Sequence, residues 1–153
     1  MSAQASSAQP ARGTGDVMPL HAPAGRVAIV EDDPTLGALA VEICRDMGIT
    51  ATLFAAPADF LAAAAEEAPR ALILDWRLQG QLGAAAFMAV RHRYPAMPVV
   101  CWTASAAWNL PQMIRLDPMT RVIDKSAGTG AFEAALRWAT GGGSDDRYLP
   151  HPA

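Results

Sequence analysis

Glu31, Asp32, Asp75, Thr103 and Lys125 are the residues whose types and placement point to chemistry. Each stands at or just past the end of a short apolar run: Val27-Ala28-Ile29-Val30, Ala71-Leu72-Ile73-Leu74, Val99-Val100-Cys101-Trp102 and Val122-Ile123. Glu31, Asp32 and Asp75 make an all-oxygen set suited to a hard cation. Mg²⁺ matches it, because that ion favours carboxylates together with substrate phosphate oxygens. Asp75 is then a carboxylate nucleophile toward phosphorus. Thr103 would donate a hydrogen bond to a phosphoryl oxygen, and Lys125 would neutralise another as a point charge. Single residues also have plainer accounts: Asp75 as a turn cap, Thr103 as an ordinary strand-end threonine, Lys125 as a solvated loop charge. Asp33 is assigned to capping the next helix, with Pro34 at that helix's first position. That cap leaves Glu31 and Asp32 unexplained.

The positioning elements follow from the same runs. Residues 71–75 read as a strand buried on both faces, as in a parallel sheet, and Arg26–Val30 as the first strand. A helix from Pro34 to Met47 carries Leu36, Leu39, Ala40, Ile43 and Met47 on one stripe, and Gly48 stops it. Thr50–Phe54 is the second strand, followed by an alanine-rich helix from Pro57 to Glu67. After the third strand a glycine-containing loop, Trp76–Gly83, leads into a helix ending near Tyr94-Pro95. Residues 98–102 form the fourth strand and 120–123 the fifth. Between them lies a helix over 106–116, interrupted by Pro111, and the last helix spans 129–139. Strands alternating with helices mean a βαβ series and a mainly parallel sheet. The strand ends then share one edge, where ligands of open α/β sheets bind. Residues distant in sequence can converge there.

The 153 residues suffice for one domain with a real core, and a formal charge of −3 with no Lys/Arg cluster gives no footprint for nucleic acid. No apolar run is long enough to span a membrane. Cys44 and Cys101 lack CxxC spacing and histidine companions, so they read as small core hydrophobes in a reducing, cytoplasmic setting. Residues 1–24, rich in Ala, Ser, Gly, Gln and Pro, read as a disordered tail without a signal peptide, and 141–153 as a flexible one. Trp76, Trp102, Trp108 and Trp138 are scattered, which suits packing rather than a ligand box.

Four motifs in order resemble the receiver domain of two-component response regulators: Val30-Glu31-Asp32-Asp33-Pro34, Leu72-Ile73-Leu74-Asp75-Trp76, Trp102-Thr103-Ala104 and Ile123-Asp124-Lys125. Gly83 falls where that family has a glycine, and the resemblance covers residues 25–140. It implies a flavodoxin-like (βα)₅ fold, a doubly wound α/β sheet of strand order 2-1-3-4-5. It makes Asp75 the acceptor of a phosphoryl group from a histidine kinase or histidine phosphotransfer protein. Glu31 and Asp32 become the acidic Mg²⁺ pair, with Asp75 and the Arg77 carbonyl as further ligands. Thr103 becomes the switch hydroxyl and Lys125 the phosphoryl-binding cation.

Three positions depart from the family pattern. Ser126 replaces the proline that normally follows the lysine through a cis bond. A cis bond to a non-proline residue costs about 2.5–4 kcal/mol, which predicts a trans peptide and a differently aimed Lys125. Gln79 replaces a proline after the acceptor, and Val122 replaces the aromatic switch residue. The leading expectation is a stand-alone receiver, monomeric or weakly dimeric, that catalyses only its own phosphorylation and dephosphorylation. It would signal by protein contact or phosphorelay. The alternative is an interaction module independent of phosphorylation. A phosphatase of the haloacid-dehalogenase type is disfavoured, because its second aspartate, two residues on, is Arg77 here.

Overall fold

The β-branched and leucine-rich runs form five parallel strands, in a computed structural model that describes residues 25–76, 82–104 and 110–141. They are β1 (Val27–Val30), β2 (Ala51–Phe54), β3 (Ala71–Asp75), β4 (Val99–Thr103) and β5 (Thr120–Asp124). Their order across the sheet is β2-β1-β3-β4-β5, as the resemblance to receiver domains implied. Among the described residues an α-helix follows each strand: α1 (Pro34–Asp46), α2 (Pro57–Glu66), α3 (Leu82–Arg93), α4 (Gln112–Arg115) and, after the last strand, α5 (Thr129–Ala139). The expected 1–24 tail, nearly all of the 141–153 tail, Arg77 and Gln79 lie outside the described residues.

Strand pleating sends alternate side chains to opposite faces. Val27, Ile29, Ala71, Ile73, Val100 and Trp102 pack toward α1 and α5, where Ile43, Phe132 and Leu136 meet them. Ala28, Val30, Leu72, Leu74, Val99 and Cys101 pack toward α2, α3 and α4 around Phe60, Phe87 and Ile114. The two cysteines therefore sit on opposite sides of the sheet and are free. Burial pushes the Cys44 thiol up to about 11 and the Cys101 thiol up to about 12, which keeps both protonated and unreactive at neutral pH.

Local chemistry sets the helix ends. Asp33 Oδ1 accepts the N–H groups of Thr35 at 2.9 Å and Leu36 at 3.2 Å, which is the expected cap. Gly48, at φ +76°, ends α1 by letting the Ile49 N–H reach the Cys44 carbonyl at 2.8 Å. The helix expected over 106–116 is helical only at Gln112–Arg115 among the described residues, and 105–109 lie outside them. Pro111 accounts for the late start, since proline pushes the residue before it out of helical geometry. Asp117 accounts for the early end, because its Oδ1 takes the Met119 N–H at 2.8 Å and turns the chain into β5.

Gly83 lets α3 close on the end of β3. A Cβ there would lie 2.7 Å from the Trp76 carbonyl oxygen and 3.4 Å from that of Asp75. Gly83→Ala gains about 0.5–1 kcal/mol of helix propensity but forces a backbone shift costing about 1–3 kcal/mol. A net loss of about 1 kcal/mol is expected as a lower urea midpoint. A raised midpoint would show that the approach is not tight.

Candidate phosphoryl-transfer and metal site

The strand ends bring the predicted polar residues together. Glu31 directly follows β1 and donates its N–H to the Phe54 carbonyl of β2 at 3.0 Å. Asp75 ends β3, paired in register with Trp102 of β4. Thr103 ends β4 opposite Asp124 of β5, and Lys125 follows. Glu31, Asp75 and Thr103 are buried, whereas Asp32 is the most open of the three carboxylates.

One carboxylate oxygen from each of Glu31, Asp32 and Asp75 lies within 4.8 Å of the others. An octahedral Mg²⁺ with bonds of about 2.1 Å spans about 4.2 Å between opposite ligands, so small rotations would close this set on the ion. Glu31 Oε2 accepts the Asp33 N–H at 3.0 Å. Its Oε1 is fully buried and receives no aligned hydrogen bond. What offsets its charge is the Lys125 ammonium, 2.7 Å away and also 3.4 Å from Asp75 Oδ2. One ammonium facing three carboxylates leaves room for a divalent cation. The donor chemistry fits Mg²⁺, and the Arg77 carbonyl lies outside the described residues.

The Ser126 departure has a defined outcome. There is no cis peptide among the described residues, yet Lys125 still reaches both buried carboxylates. A 3₁₀ turn over Lys125–Ala127 replaces the expected redirection. Asp124 Oδ1 accepts the Ser126 N–H at 2.7 Å and its hydroxyl at 2.6 Å, which holds the turn and lowers the Asp124 carboxyl below its ordinary value. The sequence marked Asp124 as part of a motif and Ser126 as a departure, but not the hydrogen bonds between them.

Burial, the largest influence, raises the Glu31 carboxyl above its ordinary 4.5, and the neighbouring Asp75 adds to that. Lys125 and the Asp33 N–H oppose it. The native state then binds more protons than the unfolded chain just above pH 4.5, so metal-free stability should fall as pH rises through that window. Asp124 contributes the other way, but only below its ordinary 3.8, outside this window. Denaturant midpoints measured against pH should slope less in Glu31→Gln, and also in wild type with saturating Mg²⁺. Parallel slopes in all three would contradict the origin in Glu31.

Residues 27–137 match the response regulator receiver domain family. Over 116 residues the chain is 28% identical to the DNA-binding transcriptional regulator NtrC of Escherichia coli, covering 73% of this chain and 25% of that protein. The chain thus spans about a quarter of the curated relatives it matches. The solved chemotaxis protein CheY4 of Vibrio cholerae superposes with TM-score 0.68 at 19% identity, over 75% of this chain and 98% of that one. The receiver domain of a Pseudomonas aeruginosa sensor histidine kinase, with a magnesium ion coordinated in its active site cleft, gives 0.65 at 22% identity, over 76% and 98%.

Proposed function

The chain belongs to the response regulator receiver domain family, and on that premise we propose that Asp75 accepts a phosphoryl group from a phosphohistidine. The donor is a histidine kinase or a histidine phosphotransfer protein. An Asp75 carboxylate oxygen attacks phosphorus, the P–N bond breaks, and its electron pair returns to the imidazole, which takes up a proton. The product is an acyl phosphate and a free histidine.

The observation that carries this reading is Lys125, held 3.4 Å from Asp75 Oδ2 although one follows β5 and the other ends β3. Its ammonium offsets charge on the incoming phosphoryl oxygens. The Thr103 hydroxyl, at the end of the neighbouring strand, donates to another of those oxygens. Glu31, Asp32 and Asp75, with the Arg77 carbonyl, would hold Mg²⁺, which when bound supplies charge neutralisation to the phosphoryl oxygens. Burial of Glu31 and Asp75 makes each of these interactions stronger than it would be in water. The receiver unit over 25–140 passes its signal by contact with another protein or hands the phosphoryl group onward, in a cytoplasmic setting.

A second reading, an interaction module independent of phosphate, draws on Val122. It is packed against the core beside α4 and offers no aromatic ring to reorient. Incubation with a small acyl-phosphate donor and Mg²⁺ separates the two. Protein-bound phosphate that is released in alkali, and that is not taken up when a chelator is present, is expected of a receiver. Absence of phosphate even with a panel of histidine kinases would favour the module.

A further inference from the structure

We propose that Trp102 is a positioning residue for Lys125, fixing its ammonium between Glu31 and Asp75 so that it stays within reach of the acceptor. The inference rests on the reading of Asp75 as phosphoacceptor. Lys125 Nζ lies 5.1 Å from the centroid of the Trp102 ring. The same nitrogen is 2.7 Å from Glu31 and 3.4 Å from Asp75. The ammonium therefore sits between the two carboxylates, nearer Glu31. A lysine is a compact charge on a flexible four-carbon stem, so two anions alone leave its approach to Asp75 loosely set. The indole supplies a third, fixed contact.

Trp102 is the register partner of Asp75 on the adjacent strand, so the two side chains leave the same face of the sheet. The ring itself cannot wander. Trp102 is 5% exposed, and its ring centroid is 4.7 Å from that of Phe132 in the core between the sheet, α1 and α5. The Lys125 side chain is 15% exposed, so the ammonium meets the indole face largely out of water, where cation–π attraction is strongest. A fixed ring, a mobile cation and two unequal anions together define one position for Nζ. The 3₁₀ turn held by Asp124 and Ser126 sets where the stem begins, and Trp102 sets where it ends.

The test compares wild type, Trp102→Phe and Trp102→Leu by two measurements. The first needs no phosphate: NMR of the Lys125 ε-methylene, which an indole or phenyl face shifts upfield. The shift is expected in wild type, reduced in Trp102→Phe and gone in Trp102→Leu. The second is the rate of phosphate uptake from an acyl-phosphate donor with Mg²⁺. Trp102→Leu should be slower by about tenfold, and Trp102→Phe within about twofold of wild type, because phenylalanine retains a π face. Both substitutions shrink a buried side chain and should lower the melting temperature, so a purely structural role predicts slowing in both. An unshifted ε-methylene in wild type overturns the proposal, as does a wild-type uptake rate in Trp102→Leu. If wild type takes up no phosphate, the assignment of Asp75 fails separately, and the ring-current shift alone decides whether Trp102 holds Lys125.

Discussion

Asp75→Asn is expected to abolish phosphate uptake, a loss on the order of 10³-fold or more, because an amide is not a carboxylate nucleophile. The variant should still fold. Asparagine matches aspartate in shape, and Lys125 keeps its closer partner, Glu31, at 2.7 Å. Removing the Asp75 charge also removes one of the influences that raise Glu31, so the pH slope of stability should become shallower. The measurement is alkali-labile phosphate on protein treated with acyl phosphate and Mg²⁺, beside circular dichroism of the same sample. A folded Asp75→Asn protein that still takes up phosphate would move the acceptor elsewhere, with Asp32 the nearest remaining candidate. A variant that fails to fold would be replaced by Asp75→Ala at low temperature, for which the same phosphate result is expected.

The second large effect lies at the opposite end of the sheet. Arg91, in the last turn of α3, donates to Asp117 Oδ2 at 2.8 Å and to the carbonyls of Tyr94, Pro95 and Met97 at 3.2, 2.9 and 2.8 Å. Its other terminal nitrogen donates to the Met119 carbonyl at 3.4 Å and the Thr120 hydroxyl at 3.2 Å. These acceptors belong to the segments that lead into β4 and β5, so one guanidinium ties the entry of both strands to α3. Their far ends carry Thr103 and Lys125. The ion pair is mostly buried, at 20% and 11% side-chain exposure. Arg91→Ala removes the cation beside the mostly buried Asp117, which keeps the Met119 N–H and the Thr120 hydroxyl, and takes one donor from each of four carbonyls, a change that costs about 3–5 kcal/mol. The expected fall in melting temperature is about 10–20 °C. Arg91→Lys keeps the charge but not the planar fork, and should recover only a minor part. Below its lowered melting point Arg91→Ala should still accept phosphate, since no site residue is touched. Wild-type stability in Arg91→Lys would reduce the role of Arg91 to a simple charge.

The strands were legible because the chain writes them in short apolar runs, each closed by a polar residue, while their order came from the resemblance to receiver domains. Alternate residues of these runs face different helical layers, so every position in Val27–Val30, Ala71–Leu74 and Val99–Trp102 had to be apolar. Parallel topology then brought Glu31, Asp75, Thr103 and Lys125 to one edge. The α1 boundaries were legible for a similarly local reason, since Asp33 and Gly48 act on neighbours within a few residues. The fourth helix was overestimated because Pro111 and Asp117 act against an apolar pattern that continues through them.

Near neighbours and pleat parity are thus written in the chain itself: the strands, the caps, and the presence of carboxylates and a lysine at strand ends. Register and reach across strands exist only in the folded molecule. Lys125 was expected to point elsewhere once Ser126 excluded the usual bond, yet a turn held by Asp124 returns it to Glu31 and Asp75. Trp102 read as packing, and only the pairing of β3 with β4 puts it on the same face of the sheet as Asp75, with its ring beside the ammonium. Arg91 carried no signal in the sequence, because its acceptors come from separate stretches of chain. The physical reason is common to all three. A side chain's type is local, but its electrostatic partners are chosen by distances that exist only after the sheet has formed.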